Sequence, residues 1–577
     1  MAVIKLMDEI LSNKIAAGEV VEKCSSVVKE LVENSIDASS TEIRVELKES
    51  GVKEIKVTDN GSGMVHDDAI MCFNRHATSK ILDEDDLYHI HTLGFRGEAL
   101  ASIASVSEVE LITSTGDVGT TVIIKGGKVL DVKNSDSAKG TTICVKNLFY
   151  NTPARLKHLK SLYAELYNIM DYMNKIALSH PEIRFSVYND NKELLKTDGS
   201  NNLLKAIKNV YGLNTARKMI QVQGTNDDYS IDGYISLPEI HRSTRNNMVT
   251  IVNGRIVKNY ELNRTINDAY HSYKPDNYYP IVVLNIEVDT TLIDVNIHPT
   301  KMDIKFGKME SLTSLVHAII RGSISKKTLI PHIEVKKEEP KKEVERFTLS
   351  FDTVMEDTEE YIINEDISGD INEVQIHEDV KEKLPIIYPV GLVHGTYIVC
   401  QNELGMYLID QHAAKERINY EKVLKLLNLN EKMQIMMLVP LTIEYTSSEF
   451  IKLKENFEYL RSINFDIDEF GVNSVIVKAH PKWIPEGNES NAVKKVLELV
   501  IEREHDFDPY KFNDLIAATM ACKMSIKANT NITQEEMENL INDLRECDNP
   551  FNCPHGRPTL VYYSTYDLEK MFKRTGF

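Results

Sequence analysis

Two groups of residues at opposite ends of this 577-residue chain have the types and spacing that chemistry requires. Near the N-terminus, Glu30 and Asn34 stand four apart in VVKELVENSIDA, on one face of a helix. A carboxylate there can orient a water for attack on a phosphoryl group, and an amide oxygen can ligate Mg²⁺. Taken alone, the pair equally suits a solvent-facing helix. TDNGSGM strengthens the first reading. Asp59 ends a strand before a turn whose Gly61 and Gly63 let a ligand approach the backbone closely. Its carboxylate can accept a hydrogen bond from an adenine amino group and would repel a guanine carbonyl. RHATSK (75–80) and TLGFRGEALASI (92–103) follow. The second is a glycine-flanked loop opening a helix, so its N–H groups can cradle phosphates. GxxxxGK[ST] is absent, which excludes a P-loop.

The second group lies near the C-terminus. DQHAAKERINYE begins with Asp410 at the mouth of a helix, where it can ligate a metal or simply cap. His412 and Glu416 are i, i+4 on one face. ACKMSIKAN offers Cys522, and CPHGRPT offers Cys553 and His555. Each fragment alone is weak, since a lone C-x-H is an ordinary turn as readily as half a site. Together they supply two sulfurs, two imidazoles and two carboxylates, a mixed set that suits Zn²⁺ or Mn²⁺.

The elements that must position these residues divide the chain. At this length two to four domains are expected, and 42% hydrophobic residues suffice for real cores. The first twenty residues mix charges into apolar positions, unlike a signal peptide, and no later stretch supplies a membrane span. Seven thinly spread cysteines point to reduced thiols or metal ligands rather than disulfides, and to a cytoplasmic setting. The formal net charge of -20 argues against nucleic acid until its distribution is considered. Residues 331–386 hold 7 Lys/Arg against 17 Asp/Glu, half of that net charge, with no sustained apolar period. This stretch reads as a disordered acidic linker, the alternative being the solvated face of a folded domain. The remaining chain is nearer neutral and can carry local basic faces.

Ahead of the linker, a helical stripe in SVVKELVENSIDA and strand patterns at EIRVELKE, EIKVTD, VSEVELITST, TTVIIKGG and GTTICVKNLF predict an α+β sandwich, one mixed sheet covered by helices. From about residue 205 the pattern shifts to a second α/β unit ending in the helix MESLTSLVHAIIRG. After the linker, strand, hairpin, strand and helix open a third domain. The expected division is 1–204, 205–330, 331–386 (linker) and 387–577.

Glu-x₃-Asn, DNGSG, GFRGEAL and GTTICVKNLFYNTPARLKHL, in this order, resemble the gyrase, heat-shock chaperone, histidine kinase and MutL (GHKL) ATPase superfamily. NKIAAGEVVE, RHATSK, GFRGEALASI and LFYNTPARLK resemble its MutL branch, the DNA mismatch-repair proteins, over residues 1 to about 330. One departure is VEKCSSVVKEL, where the family commonly has a proline near Cys24. The resemblance implies ATP with Mg²⁺, Glu30 as general base, Asn34 as Mg²⁺ ligand and Asp59 as adenine reader, with Gly63 beside it and Thr142 near the base. It assigns Thr78, Ser79, Lys80, Gly94, Arg96 and Gly97 to the lid and phosphate loops. It makes Lys301, in DVNIHPTKMDIKF, a γ-phosphate contact from a transducer domain of ribosomal protein S5-like fold. It makes Arg255, in VNGRIV, a DNA contact. For Arg96 and Arg255 the plain alternatives are a carboxylate partner and a turn residue.

From about 387 onward, D-Q-H-A-x₂-E-x₄-E, A-C-K-x-S-I-K-A-N and C-P-H-G-R-P resemble the C-terminal dimerisation and endonuclease domain of those MutL proteins that nick DNA. This implies a Zn²⁺ or Mn²⁺ site with Glu416 bridging, Asp410, His412, Cys553 and His555 completing it, and Cys522 nearby. The alternative is a closed structural zinc in an ATP-gated clamp. The implied partners are double-stranded DNA, a MutS-like mismatch-recognition protein, a second copy in a homodimer, and the polymerase sliding clamp. For the clamp, MQIMMLVPLT carries Gln434 one residue further from Pro440 than the family segment. Exposed Met and Leu there would favour the clamp; buried ones would make an ordinary strand.

Overall fold

The computed structural model describes residues 21–81, 92–94, 97–159, 161–271, 273–274, 278–294, 304–326, 384–428, 433–502, 509–524, 531–572 and 574. Arg96, Lys301 and nearly all of the expected linker lie outside the described residues.

The N-terminal unit begins with helix α1, Cys24–Asp37. Val27, Val28, Leu31 and Val32 recur at helical spacing and are buried, each contributing about 1.5–3 kcal/mol by leaving water. Glu30, Asn34 and Asp37 occupy a second, half-buried stripe at i, i+4 and i+7. Eight strands follow: β1 (Glu42–Lys48), β2 (Glu54–Asp59), β3 (Glu108–Ser114), β4 (Gly119–Lys125), β5 (Lys128–Ser135), β6 (Gly140–Lys146), β7 (Arg184–Asn189) and β8 (Lys192–Lys196). They form one sheet in the order β5-β4-β3-β6-β2-β1-β7-β8. Only the β1–β7 pair is parallel, the connection between its strands carrying helices α2 (Ala99–Ser105) and α3 (Leu162–Ser179). The expected mixed sheet is present. In β1 the alternation of EIRVELK sends Ile43, Val45 and Leu47 into the core.

The second unit is a five-stranded sheet in the order β12-β11-β13-β10-β9, where β9 is Met219–Thr225, β10 Tyr229–Ser236, β11 Met248–Val252, β12 Arg255–Val257 and β13 Val282–Val288. Helices α4 (Tyr260–Ala269) and α5 (Met309–Lys326) cover it, sharing a core around Tyr229, Ile266, Leu284 and Val316.

The expected C-terminal domain, 387–577, holds two cores. The first lies against the sheet β14-β15-β16-β20, with β14 Tyr388–Val393, β15 Tyr397–Asn402, β16 Gly405–Asp410 and β20 Leu560–Ser564. Leu384 is buried in this core, so folded structure starts inside the stretch read as linker. The second core surrounds the sheet β17-β19-β18, with β17 Gln434–Glu444, β18 Asp466–Glu469 and β19 Ser474–Pro481. It is completed by helices α7 (Ser447–Glu455), α8 (Glu489–Glu502) and α9 (Pro509–Met524). Helix α6, Gln411–Asn428, joins the lobes. Its Ala414 and Ile418 belong to the first core, its Val423 and Leu427 to the second. Helix α10, Gln534–Arg545, closes the first lobe.

All seven cysteines are free of disulfide partners. Among the described residues no helix is long and apolar enough to cross a membrane.

Candidate nucleotide site and metal centre

The end of β2 meets the C-terminal half of α1. Asp59 Oδ2 accepts from Ser35 Oγ (2.8 Å), and Oδ1 accepts from the N–H groups of Gly61 (2.9 Å) and Thr141 (3.3 Å). The carboxylate is thus fixed from the helix, the turn and the neighbouring strand. Gly63 has φ +70°, and a Cβ there would lie 1.9 Å from Ser114 O, so no side chain fits. Gly97 is similar, with φ +62° and a Cβ site 2.5 Å from Ala77 O.

Strand register corrects the expected threonine. Thr142 pairs with Thr58, whose hydroxyl accepts from Thr142 Oγ1 at 3.2 Å. Thr141 is the residue opposite Asp59. Side chains alternate faces along a strand, so Thr141 shares the Asp59 face and Thr142 points to the other. The hydroxyl beside Asp59 therefore belongs to Thr141, which also bonds Thr113 Oγ1 at 2.9 Å. The doublet TT at 141–142 hides this choice until the register is known.

Asp37 was missed in the sequence and organises the loops. Its Oδ1 accepts from Leu93 N (2.9 Å), and its Oδ2 from Gly94 N (3.0 Å) and the Lys80 ammonium (2.6 Å). Lys80 Nζ also donates to Asn34 Oδ1 at 2.9 Å. The signal for Asp37 was available: it continues the Glu30, Asn34 stripe by one turn. Asn34 Oδ1 already faces a cation, which is the property a Mg²⁺ ligand needs. Lys80 N donates to Thr78 Oγ1 at 3.2 Å, which fixes the start of this loop. Ser79 is exposed and Glu30 half-buried.

Arg255 does not face solvent as a DNA contact would. It is only 7% exposed, and its guanidinium donates to the backbone carbonyls of Thr92 and Leu93. Burial disfavours its charge, while the nearby Glu33 and Asp37 carboxylates favour it. The short turn between β11 and β12 aims this side chain out of the second unit and into the loop of the first. Arg255 is thereby a tie between the units.

At the other end, β16 delivers Asp410 directly into α6. Asp410 Oδ1 accepts from the N–H groups of His412 (2.9 Å) and Ala413 (3.1 Å), so one of its oxygens caps the helix. One turn beyond His412, Glu416 is 3% exposed. Its Oε1 lies 3.4 Å from His412 Nε2, and its Oε2 3.4 Å from His555 Nδ1. CPHGRPT is a tight turn: Cys553 N donates to Arg557 O (2.8 Å) and Gly556 N to Cys553 O (2.9 Å). That turn places Cys553 and His555 beside Glu416, and one ligand atom from each lies within 4.8 Å of the others. Helix α9 packs along α6 and brings Cys522 to the same corner. Burial pushes the Cys522 thiol pKa up, and a hydrogen bond to Glu416 adds to this. A buried carboxylate between two imidazoles, with sulfur beside it, is a donor set that fits Zn²⁺ or Mn²⁺.

Two residues outside the expected set support the turn. Glu421 is buried and accepts from Asp548 N (2.7 Å) and Asn549 N (3.2 Å). Arg417 donates to Asn552 O at 2.5 Å. Both lie on α6, and they fix the approach to Cys553 from the helix that carries Glu416.

Residues 22–149 match the family described as Histidine kinase-, DNA gyrase B-, and HSP90-like ATPase. Residues 207–325 match DNA mismatch repair protein, C-terminal domain, and residues 390–532 match MutL C terminal dimerisation domain. The DNA mismatch repair protein MutL of Anoxybacillus flavithermus is 44% identical over 609 residues, covering 100% of both chains. That of a Geobacillus species is 43% identical over 622 residues, again covering 100% of both. That of Listeria innocua is 43% identical over 595 residues, covering 98% of each. With ATPase, second unit and dimerisation domain matched in order and relatives aligned end to end, the chain belongs to the MutL family of DNA mismatch repair proteins.

Proposed function

We propose that this chain is an ATP-gated homodimer that incises one DNA strand in mismatch repair. Glu30 orients the water that attacks the γ-phosphoryl group, and Asp59 with Thr141 reads adenine. Mg²⁺ would be held at Asn34 and would neutralise phosphate charge. Lys80 donates to both Asn34 and Asp37 at the same corner, so its ammonium is placed to meet phosphate oxygens beside the residue that would hold the ion. Thr78, Ser79, Gly94 and Gly97, with Arg96 and Lys301 beyond the described residues, complete the lid and phosphate contacts. Arg255 holds the lid backbone to the second unit, so lid movement changes inter-unit geometry.

At the C-terminal site, Glu416, His412, Cys553 and His555 would hold Zn²⁺ or Mn²⁺, with Asp410 and Cys522 alongside. Such ions supply an activated water and charge neutralisation on the phosphodiester. Asp410 ties this site to the end of β16, and Glu421 and Arg417 hold the turn that carries two of the donors. The partners are double-stranded DNA, a MutS-like mismatch sensor and the sliding clamp, in the cytoplasm.

The observation that carries the nicking reading is the buried Glu416 carboxylate flanked at 3.4 Å by both His412 and His555. A carboxylate in that position keeps coordination open more readily than an all-Cys/His cage. A second reading, a clamp with a purely structural metal, draws on Asp410 Oδ1 being used as a helix cap. Supercoiled plasmid incubated with Mn²⁺, with and without sliding clamp, separates the two. Wild type should yield relaxed circles and Asp410→Asn should not. No nicking by wild type under either condition, with metal bound and fold intact, would overturn the nuclease reading.

A further inference from the structure

The C-terminal segment carries a surface that neither proposed activity uses. Thr446, Ser447, Ser448 and Glu449 open α7, and all four are buried. Burying polar side chains costs free energy unless hydrogen bonds replace water. Several of the partners here come from the N-terminal units. Ser447 Oγ donates to Asn174 Oδ1 (3.1 Å), and Asn174 Nδ2 donates to Ser448 Oγ (3.4 Å). Asn174 lies on α3 and is itself 5% exposed. Glu449 Oε1 accepts from Asn247 Nδ2 (3.4 Å) and lies 3.8 Å from Arg242 Nε, both on the second unit. Its Oε2 accepts from Thr446 N (3.0 Å), closing a capping box.

The rest of the contact extends this match. Ile451 joins the apolar core of the N-terminal unit. The Lys452 ammonium lies 4.3 Å from the centre of the Tyr167 ring on α3, a cation–π contact. Ser161 Oγ donates to Glu455 Oε1 (3.0 Å), and Lys192 Nζ lies 3.5 Å from Glu469 Oε2. One apolar anchor ringed by paired polar groups resembles a reversible contact between domains more than an obligate core.

Helix α3 is also the support of the nucleotide helix. Cys24 N, at the start of α1, donates to the buried Glu165 Oε2 of α3 at 3.2 Å. Tyr172 of α3 is half-buried, with its hydroxyl enclosed close to the Glu33 and Glu30 carboxylates of α1. We propose that the start of α7 is a docking element for α3 of the same chain, holding the lobe that shares α6 with the metal-ligand cluster against the helix that backs Glu30 and Asn34. The docking rests on these contacts alone, whatever chemistry the metal centre performs.

The native full-length chain tests this without substitution. Lys192 and Lys454 reach the same carboxylate, Glu469, at 3.5 and 2.5 Å. An amine-reactive cross-linker of short span should join them. A link within one chain leaves the product at monomer mass on a denaturing gel, where peptide mass spectrometry identifies the Lys192–Lys454 pair. Ser448→Arg forces a guanidinium into the Asn174 contact and should lower that yield at least tenfold, with ADP binding and melting unchanged. If Ser448→Arg does not fold, Asn174→Lys on the facing helix makes the same test. Absence of the link, its appearance only at dimer mass, or an undiminished yield in the folded variant would overturn the proposal.

Discussion

At the scale of single residues, both sites depend on side chains held by backbone. Asp59 is oriented by two N–H groups and one hydroxyl, and Asp37 by two N–H groups and an ammonium. A carboxylate so constrained loses little freedom when a ligand arrives. The spacing in the sequence was enough to nominate Glu30, Asn34 and Asp59, because four residues on a helix and a strand-to-turn junction have fixed geometric meanings. It could not choose between Thr141 and Thr142, since that depends on which strand pairs with β2 and in what register. Thr141→Val should therefore weaken ADP binding by about tenfold, the worth of one hydrogen bond at about 1.4 kcal/mol, while Thr142→Val should change it less than twofold. Titration calorimetry with the two variants checks this, and equal losses would refute the assignment by register. Arg255 was equally opaque. A Gly-Arg turn between strands says nothing about whether the side chain meets solvent or another unit.

At the scale of elements, α6 is the member on which the C-terminal site depends. It starts at the Asp410 cap, carries His412 and Glu416 on one turn, supports the CPHGRPT turn through Arg417 and Glu421, and ends in a different core. The strand β17 shows the opposite economy. Its register breaks between Met436 and Leu441, and Met436, Leu438 and Val439 stand exposed. Exposed apolar side chains on a bulged strand invite a partner. We propose the sliding clamp as the partner of this stretch, Gln434–Pro440. Leu438→Ser should weaken binding to the sliding clamp at least tenfold in surface plasmon resonance without lowering the melting temperature, because no packing is lost. Unchanged clamp affinity would return β17 to the status of an edge with no partner.

At the scale of the whole molecule, the chain joins an ATPase domain to a dimerisation domain through a segment that carries half of its net charge. On the proposed reading, in which the chain binds double-stranded DNA, these acidic residues would oppose non-specific phosphate contacts. Replacing the acidic residues of 331–386 with neutral ones should raise affinity for random duplex DNA severalfold at physiological salt, with the gain shrinking as salt increases. A filter-binding or anisotropy titration across salt concentrations decides it, and no change would show that the charge serves another purpose.

The sequence by itself determined the order of the units, the α1 stripe and the alternation of the N-terminal strands, and it nominated most of the candidate donors. These are local or periodic properties, and period and residue type are written in the chain. Tertiary structure decided the rest. Asp37 became a hub because the loop at 92–94 folds back onto α1. Thr141 displaced Thr142 because β6 pairs with β2 in one register. Arg255 turned inward because the second unit abuts the loop at 92–94. The C-terminal segment divided into two cores because α6 is long enough to serve both. Cys553 and His555 reached Glu416 across more than a hundred residues because a turn and a helix were brought to one corner. Each of these rests on which distant segments meet, and no spacing along the chain encodes that.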